Sequence, residues 1–265
     1  MSDLYIFNNA LKDLLSLRRV VVALFLIAIP VVFVFFWRNL PKHEDTLAPD
    51  ALYDLMSSLL VFGFIQILLS VVFSTSVISQ EMESKTIGYL LTRPLPRWRL
   101  LLVKFIPVLL VTTFIACLAA VLLSLAIYGA DGLKQASLHQ DLMLLPVGSL
   151  VFGSLFLLIA TLLNRPLIWG LIYGFGWEIA IASFSNLLPG TFNRLFIVSY
   201  FRALAPHLAP TGEEGGIMAL LGTPSVTPIP IWLSWTVLIS IIVLCMAGSL
   251  FAFSTREYVP RDTAE

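Results

Sequence analysis

Charge is scarce in this chain. Only 12% of its 265 residues are Asp, Glu, Lys or Arg against 58% hydrophobic, and the mean hydropathy of +0.93 lies far outside the range of soluble domains. The charges that exist cancel, 16 basic against 16 acidic, so no basic field is available to hold nucleic acid. Cysteine is nearly missing too. Cys117 and Cys245 sit inside apolar runs and read as small packing residues, neither a disulfide nor a ligand pair. His43, His139 and His207 fall in three separate connections without the i, i+4 spacing of a helical metal site, so no metal is expected. The sequence has no Gly-x-x-x-x-Gly-Lys-Ser/Thr loop, which excludes ATP hydrolysis by the phosphate-loop route. It has no Gly-x-Ser-x-Gly elbow and no convergent His, Ser and Asp set, so an enzyme is not expected. The opening Met-Ser-Asp-Leu-Tyr lacks a basic region followed at once by an apolar one, and no cleaved signal peptide is expected.

What is present is long apolar sequence. A spanning helix needs about 20 apolar residues, and cutting the chain at that length gives six expected spans: Val20–Trp37, Leu55–Ser79, Leu100–Tyr128, Leu142–Leu163, Leu167–Leu188 and Ile231–Ser254. The third is long enough to need tilt, a kink at Pro107 or an interfacial first turn. No fixed-period repeat interrupts the chain, so residues 1–265 are expected to form one membrane domain.

Positive residues resist translocation and therefore set orientation. With the N-terminus in the cytoplasm, Lys12, Arg18, Arg19, Lys85, Arg93, Arg97, Arg99, Lys104, Arg165, Arg256 and Arg261 lie inside, whereas Arg38, Lys42, Lys134, Arg194 and Arg202 lie outside. Both termini are thus expected to be cytoplasmic. Residues 1–19 place Leu4, Phe7, Leu11, Leu14 and Leu15 at helical spacing with Asn8, Lys12, Asp13 and Ser16 elsewhere, the pattern of a helix in the inner interface. Residues 189–230, rich in Pro and Gly, carry an apolar stripe from Phe192 to Leu204. They are expected to form an external connection that dips into the outer leaflet.

Polar groups inside the spans are few. Gln66, Ser70 and Ser74 recur every four residues and so face one way. They read either as the lining of a substrate path between chains or as bonds to a neighbouring span. Glu178 lies near the middle of the fifth expected span, where an ionisable group must be paired, protonated or facing water. It reads as a substrate contact, as a proton site, or as a carboxyl hydrogen-bonded to another helix. Gly170 and Gly174 have the small-x-x-x-small spacing of close helix packing.

The one sizeable charged cytoplasmic segment is residues 80–99, from Gln80-Glu81-Met82-Glu83-Ser84-Lys85-Thr86-Ile87-Gly88-Tyr89 through Leu90-Leu91-Thr92-Arg93-Pro94 to Arg97-Trp98-Arg99. It reads as a short helix whose acidic first turn complements its dipole and which Pro94 and Pro96 stop. Trp98 and the arginines suit the headgroup level. The segment resembles the stretch after the second span of the ABC type-2 permeases, Glu-x-Glu-x-x-Thr-x-x-Tyr-Leu-Leu-Thr-Arg-Pro, then a basic-aromatic turn and a Lys opening the third span. Glu81, Glu83, Thr86, Tyr89, Leu90, Leu91, Thr92, Arg93, Pro94, Trp98 and Lys104 match. That family often has Gly where this chain has Ser84 or Lys85, and here Gly88 comes later.

The resemblance implies an all-α membrane protein of the type-2 (type V) ABC exporter fold, with six transmembrane helices, an N-terminal interfacial helix and a cytoplasmic coupling helix between spans 2 and 3. It further implies a permease in a bacterial inner membrane, paired with a second permease chain as a homodimer or related heterodimer and bathed in membrane lipid. Two ATP-binding-cassette ATPase subunits would bind the ATP and Mg, leaving no cofactor to this chain. Glu81, Glu83, Lys85, Thr86, Gly88, Tyr89, Arg93, Pro94 and Arg97 would form the contact with the ATPase. The alternative is a proton-coupled secondary transporter using Glu178.

Overall fold

The computed structural model describes residues 2–14, 16–39, 48–83, 97–181, 192–208 and 229–255. Helix α1 (Ser2–Leu14) breaks at Ser16, whose carbonyl accepts from the N–H groups of Arg19 and Val20 and so opens α2 (Leu17–Asn39). On α1, Leu14 is buried while Asn8, Lys12 and Asp13 are exposed, as the amphipathic pattern requires; Leu15 lies outside the described residues.

The second helical column starts as α3 (Pro49–Met56), with Pro at its first turn and Asp50 beside it, both favoured at a helix N-terminus. It widens into π-type turns over Ser57–Ile65 and tightens again as α4 (Gln66–Glu83). Helix α5 (Arg97–Tyr128), with Pro107 inside it, ends in a tight turn where Gly129 has φ 67°. There Gly132 presses on the backbone of Ser124, leaving no room for a Cβ. Helix α6 (Ala136–Leu162) follows. After a bend at Asn164 and Arg165, α7 (Pro166–Leu171) continues as wide turns over Ile172–Ile181. Helices α8 (Ile197–Leu204) and α9 (Ile231–Thr255) complete the order.

Among the described residues, five helical stretches are long and apolar enough to cross a membrane: Arg19–Trp37, Pro49–Ile78, Trp98–Lys134, Ala136–Leu162 and Ile231–Thr255. The fifth expected span, Leu167–Leu188, is described only as the shorter apolar helix Pro166–Ile181. Its remaining residues lie outside the described set. The fourth expected span starts six residues too late. Helix α6 begins at Ala136 after Gln135 in extended conformation, because its polar first turns are held by protein partners that a hydropathy cut does not see.

Helix α6 is the central element, packed against α4, α5, α7 and α9. Leu14, Ile78, Leu100, Ala160 and Phe253 belong to one cluster at the Glu83 end. Trp37, Tyr53, Tyr128, Leu138, Phe201 and Leu233 belong to another at the Pro49 end. The described columns therefore alternate in direction, and α1 lies at the same end as the close of α9. Outward faces stay apolar, with Phe25 and Phe35 at 69% exposure and Phe251 at 71%. That outward surface suits lipid and excludes a soluble protein. The chain is an all-α, multi-pass membrane protein.

Candidate functional site

Gln66, Ser70 and Ser74 all lie on α4, directly after the wide turns, and all three are buried within a single chain. Gln66 Nε2 donates to Ser149 Oγ on α6 at 3.0 Å. Gly148 allows the approach, since a Cβ there would sit 3.3 Å from Gln66 Nε2. The stripe thus bonds to a neighbouring helix at Gln66, the second of the two readings. Below it the outcome differs: Gln66 Oε1, Ser70 Oγ and Ser74 Oγ are buried with no hydrogen-bond partner among the described residues. Nearby Thr75 turns its hydroxyl back to the carbonyl of Val71 at 2.7 Å, the usual way a hydroxyl is satisfied in an apolar bundle. Each orphaned buried group costs about 1–3 kcal/mol, so α4 carries three polar atoms that fold stability alone does not explain.

Glu178 is buried on the wide turns of the fifth column, a geometry frequent at functional sites. Its Oε1 accepts from Ile197 N at 3.1 Å and from the Tyr173 hydroxyl at 3.1 Å. Its Oε2 accepts from Val198 N at 3.2 Å. Ile197 and Val198 are the first two residues of α8, and Phe196 before them makes no side-chain cap of its own. Glu178 supplies that cap from a distant helix, satisfying orphan N–H groups and placing negative charge at the positive end of the α8 dipole. Arg202 completes the arrangement in the last turn of α8. Its Nε is buried with no hydrogen-bond partner among the described residues, and Glu178 attracts the guanidinium electrostatically.

With both oxygens occupied by donors, Glu178 is a cap for α8, and the proton-carrier reading is not favoured. Glu178→Gln should lower stability against unfolding in detergent by about 1–3 kcal/mol, because an amide offers one oxygen to two N–H groups. A proton carrier would behave in the opposite way, with unchanged stability and abolished transport.

Sequence reasoning missed a third cluster. Asp141 on α6 is fully buried. Its Oδ2 accepts from the Tyr53 hydroxyl at 2.7 Å and the Ser57 hydroxyl at 2.6 Å, and its Oδ1 lies 2.8 Å from His207 Nε2. The other ring nitrogen of His207 faces Gln140 Oε1 at 3.1 Å. Tyr53 also packs against the Tyr128 ring at 5.9 Å, and Tyr128 donates to Asp50 at 2.7 Å. One carboxylate thus ties together α3, α6 and the connection after α8. The remaining histidine among the described residues, His139, places Nδ1 2.7 Å from the carbonyl of Gln135. No group of three metal-ligating side chains occurs among the described residues.

The charged segment is only partly described. Helix α4 runs without a break through Glu81 and Glu83, so these residues continue the second column. A separate helix with an acidic first turn does not begin there, since nothing in Ser79-Gln80-Glu81 stops the preceding helix. Lys85, Thr86, Gly88, Tyr89, Arg93 and Pro94 lie outside the described residues, and Arg97 opens α5.

Across 14–180, more than half of the chain, the sequence matches the family model described as "ABC-2 family transporter protein". No curated protein matches the chain.

Proposed function

The chain belongs to the ABC-2 family of transporter proteins, and from that premise we propose that it is the membrane-spanning subunit of an ATP-driven exporter whose ATPase is a separate polypeptide. In this reading two permease chains and two cassette ATPases assemble in a bacterial inner membrane with both permease termini in the cytoplasm, and the partner ATPases hold the ATP and Mg. The substrate class is a hydrophobic or membrane-borne molecule entering laterally. Residues 80–99 receive the work, with Glu81, Glu83, Lys85, Thr86, Gly88, Tyr89, Arg93, Pro94 and Arg97 at the contact.

The observation that carries this reading is the continuity of α4. The same 18-residue helix that bears Gln66, Ser70 and Ser74 ends at Glu83, a rod of about 27 Å. Displacement of its Glu83 end therefore moves the unsatisfied polar stripe as one body. Glu81 and Glu83 give that end two negative charges, which a basic partner surface would complement.

The experiment is charge reversal at both positions, Glu81→Lys with Glu83→Lys. ATPase retained in pull-down should fall about tenfold, which corresponds to roughly 1.4 kcal/mol, and transport per ATP should fall with it. The permease itself should remain folded. Unchanged assembly together with unchanged coupling would mean that Glu81 and Glu83 take no part in coupling to the ATPase.

A further inference from the structure

A cavity of about 280 Å³ lies where α1 meets α2, walled by Leu14, Ala23, Ile27, Phe73, Val111 and Phe114 and bordered at one end by Arg19. Its walls are almost wholly apolar, with Arg19 the one charged residue among those lining it. Three of its lining side chains, Leu24, Leu110 and Phe114, are also exposed on the outer surface of the bundle at 56–69%. The cavity thus opens sideways, toward the face that meets lipid acyl chains. Arg19 stands in the first turns of α2, at the point where the first spanning stretch begins.

One guanidinium nitrogen of Arg19 is left unsatisfied among the described residues. Its Nη1 is shielded from solvent and has no hydrogen-bond partner among the described residues. Asp13, in the last turn of α1, attracts the guanidinium electrostatically, yet Asp13 is itself exposed to solvent. A charged nitrogen buried without a partner is costly, and an anionic oxygen brought by a ligand removes that cost. An Arg guanidinium meets a phosphate through paired, charge-assisted hydrogen bonds.

We propose that this cavity is a binding site for one anionic phospholipid of the surrounding bilayer, an acyl chain occupying the apolar pocket and the headgroup phosphate engaging Arg19. The size fits part of a single chain: small-molecule sites begin at about 300 Å³, and a bulkier ligand would not be enclosed. Charge selects the lipid class. A zwitterionic headgroup brings a cation that competes with Arg19 for the phosphate, whereas an anionic headgroup brings none. The lipid would pin α1 and the start of α2 against α5, and so set the entry angle of the first span.

The test uses the full chain in detergent, titrated with phosphatidylglycerol or phosphatidylcholine and read by native mass spectrometry. Wild type should hold the first phosphatidylglycerol about fivefold more tightly than phosphatidylcholine, the factor equivalent to about 1 kcal/mol per basic group near a lipid surface. Arg19→Gln should erase the preference. Ala23→Phe, which fills the cavity, should weaken both lipids. Lys12→Gln, which removes an exposed charge from α1, should change neither. Equal retention of the two lipids by wild type would overturn the proposal without recourse to any variant. So would a preference that survives Arg19→Gln, or one that Lys12→Gln erases equally, since the attraction would then belong to the general basic surface.

Discussion

Replacing Asp141 with Ala should destabilise the protein by about 3–5 kcal/mol, the loss found when one member of a buried charged network is removed and its partners are stranded. Three donors lose their acceptor at once: the hydroxyls of Tyr53 and Ser57 and Nε2 of His207. Tyr53, Ser57 and Asp141 are all at 0% exposure, so water cannot replace the lost bonds. Asp141→Asn keeps the shape and one oxygen but turns an amide N–H₂ toward groups that donate. It should cost less, about 1–2 kcal/mol. The measurement is the unfolding equilibrium in detergent, followed by near-ultraviolet signals of the aromatic residues stacked at this end. A cost below about 1 kcal/mol for Asp141→Ala would mean that the cluster is open to water and is not a tie between columns. Limited proteolysis adds a local readout. His207 fastens the connection after α8 to α6, so its nearby backbone should become more readily cleaved in Asp141→Ala than in a core variant of equal stability.

Five of the six expected spans were legible in the sequence because the membrane imposes a length and a composition on each of them independently. Ile231–Ser254 and Val20–Trp37 therefore fall within a residue of the apolar stretches observed, Ile231–Thr255 and Arg19–Trp37. The amphipathic stripe of residues 192–204 was also legible, and the structure buries Ile197, Val198 and Phe201 of that stripe against the bundle.

Long-range polar pairings were not legible. Asp141 stands just before the apolar run Leu142-Met143-Leu144-Leu145, which makes it look like a solvated residue at a span's edge. Its partners are 66 to 88 residues away. Glu178 stood out by its depth, but the groups it caps are backbone N–H groups, which leave no mark in a sequence. The wide turns of Ser57–Ile65 and Ile172–Ile181 likewise have no composition of their own. Hydropathy falls just before Glu81 and Glu83, which suggests a helix boundary there, whereas α4 continues through both.

The Gly170 and Gly174 pair was legible as a packing signal, though not its partner, and the contact it makes supports the second large prediction. Gly170 lies on Val71 and Gly174 on Ile67, so two glycines four apart on the fifth column meet two β-branched residues four apart on α4. A Cβ at Gly174 would overlap Cγ2 of Ile67, an atom fixed to a branched carbon and fully buried, which cannot swing away. Gly174→Leu should therefore destabilise by about 3 kcal/mol, the upper range of overpacking. Gly174→Ala should cost about 1–2 kcal/mol, even after the helix propensity that Ala adds. Two residues on, Gly176 has nothing within 4 Å of its Cβ position, and Gly176→Ala should be neutral or slightly stabilising. The decisive variant combines Gly174→Ala with Ile67→Ala. The Cβ of residue 67 lies 3.9 Å from the new methyl, an ordinary contact, so the new methyl fills part of the space that truncation empties. The double variant should be more stable than the sum of the single losses by at least about 1 kcal/mol. Additive losses would mean that the fifth column does not rest on α4 at this point. The polar stripe and the Glu178 cap would then not be held in one rigid register.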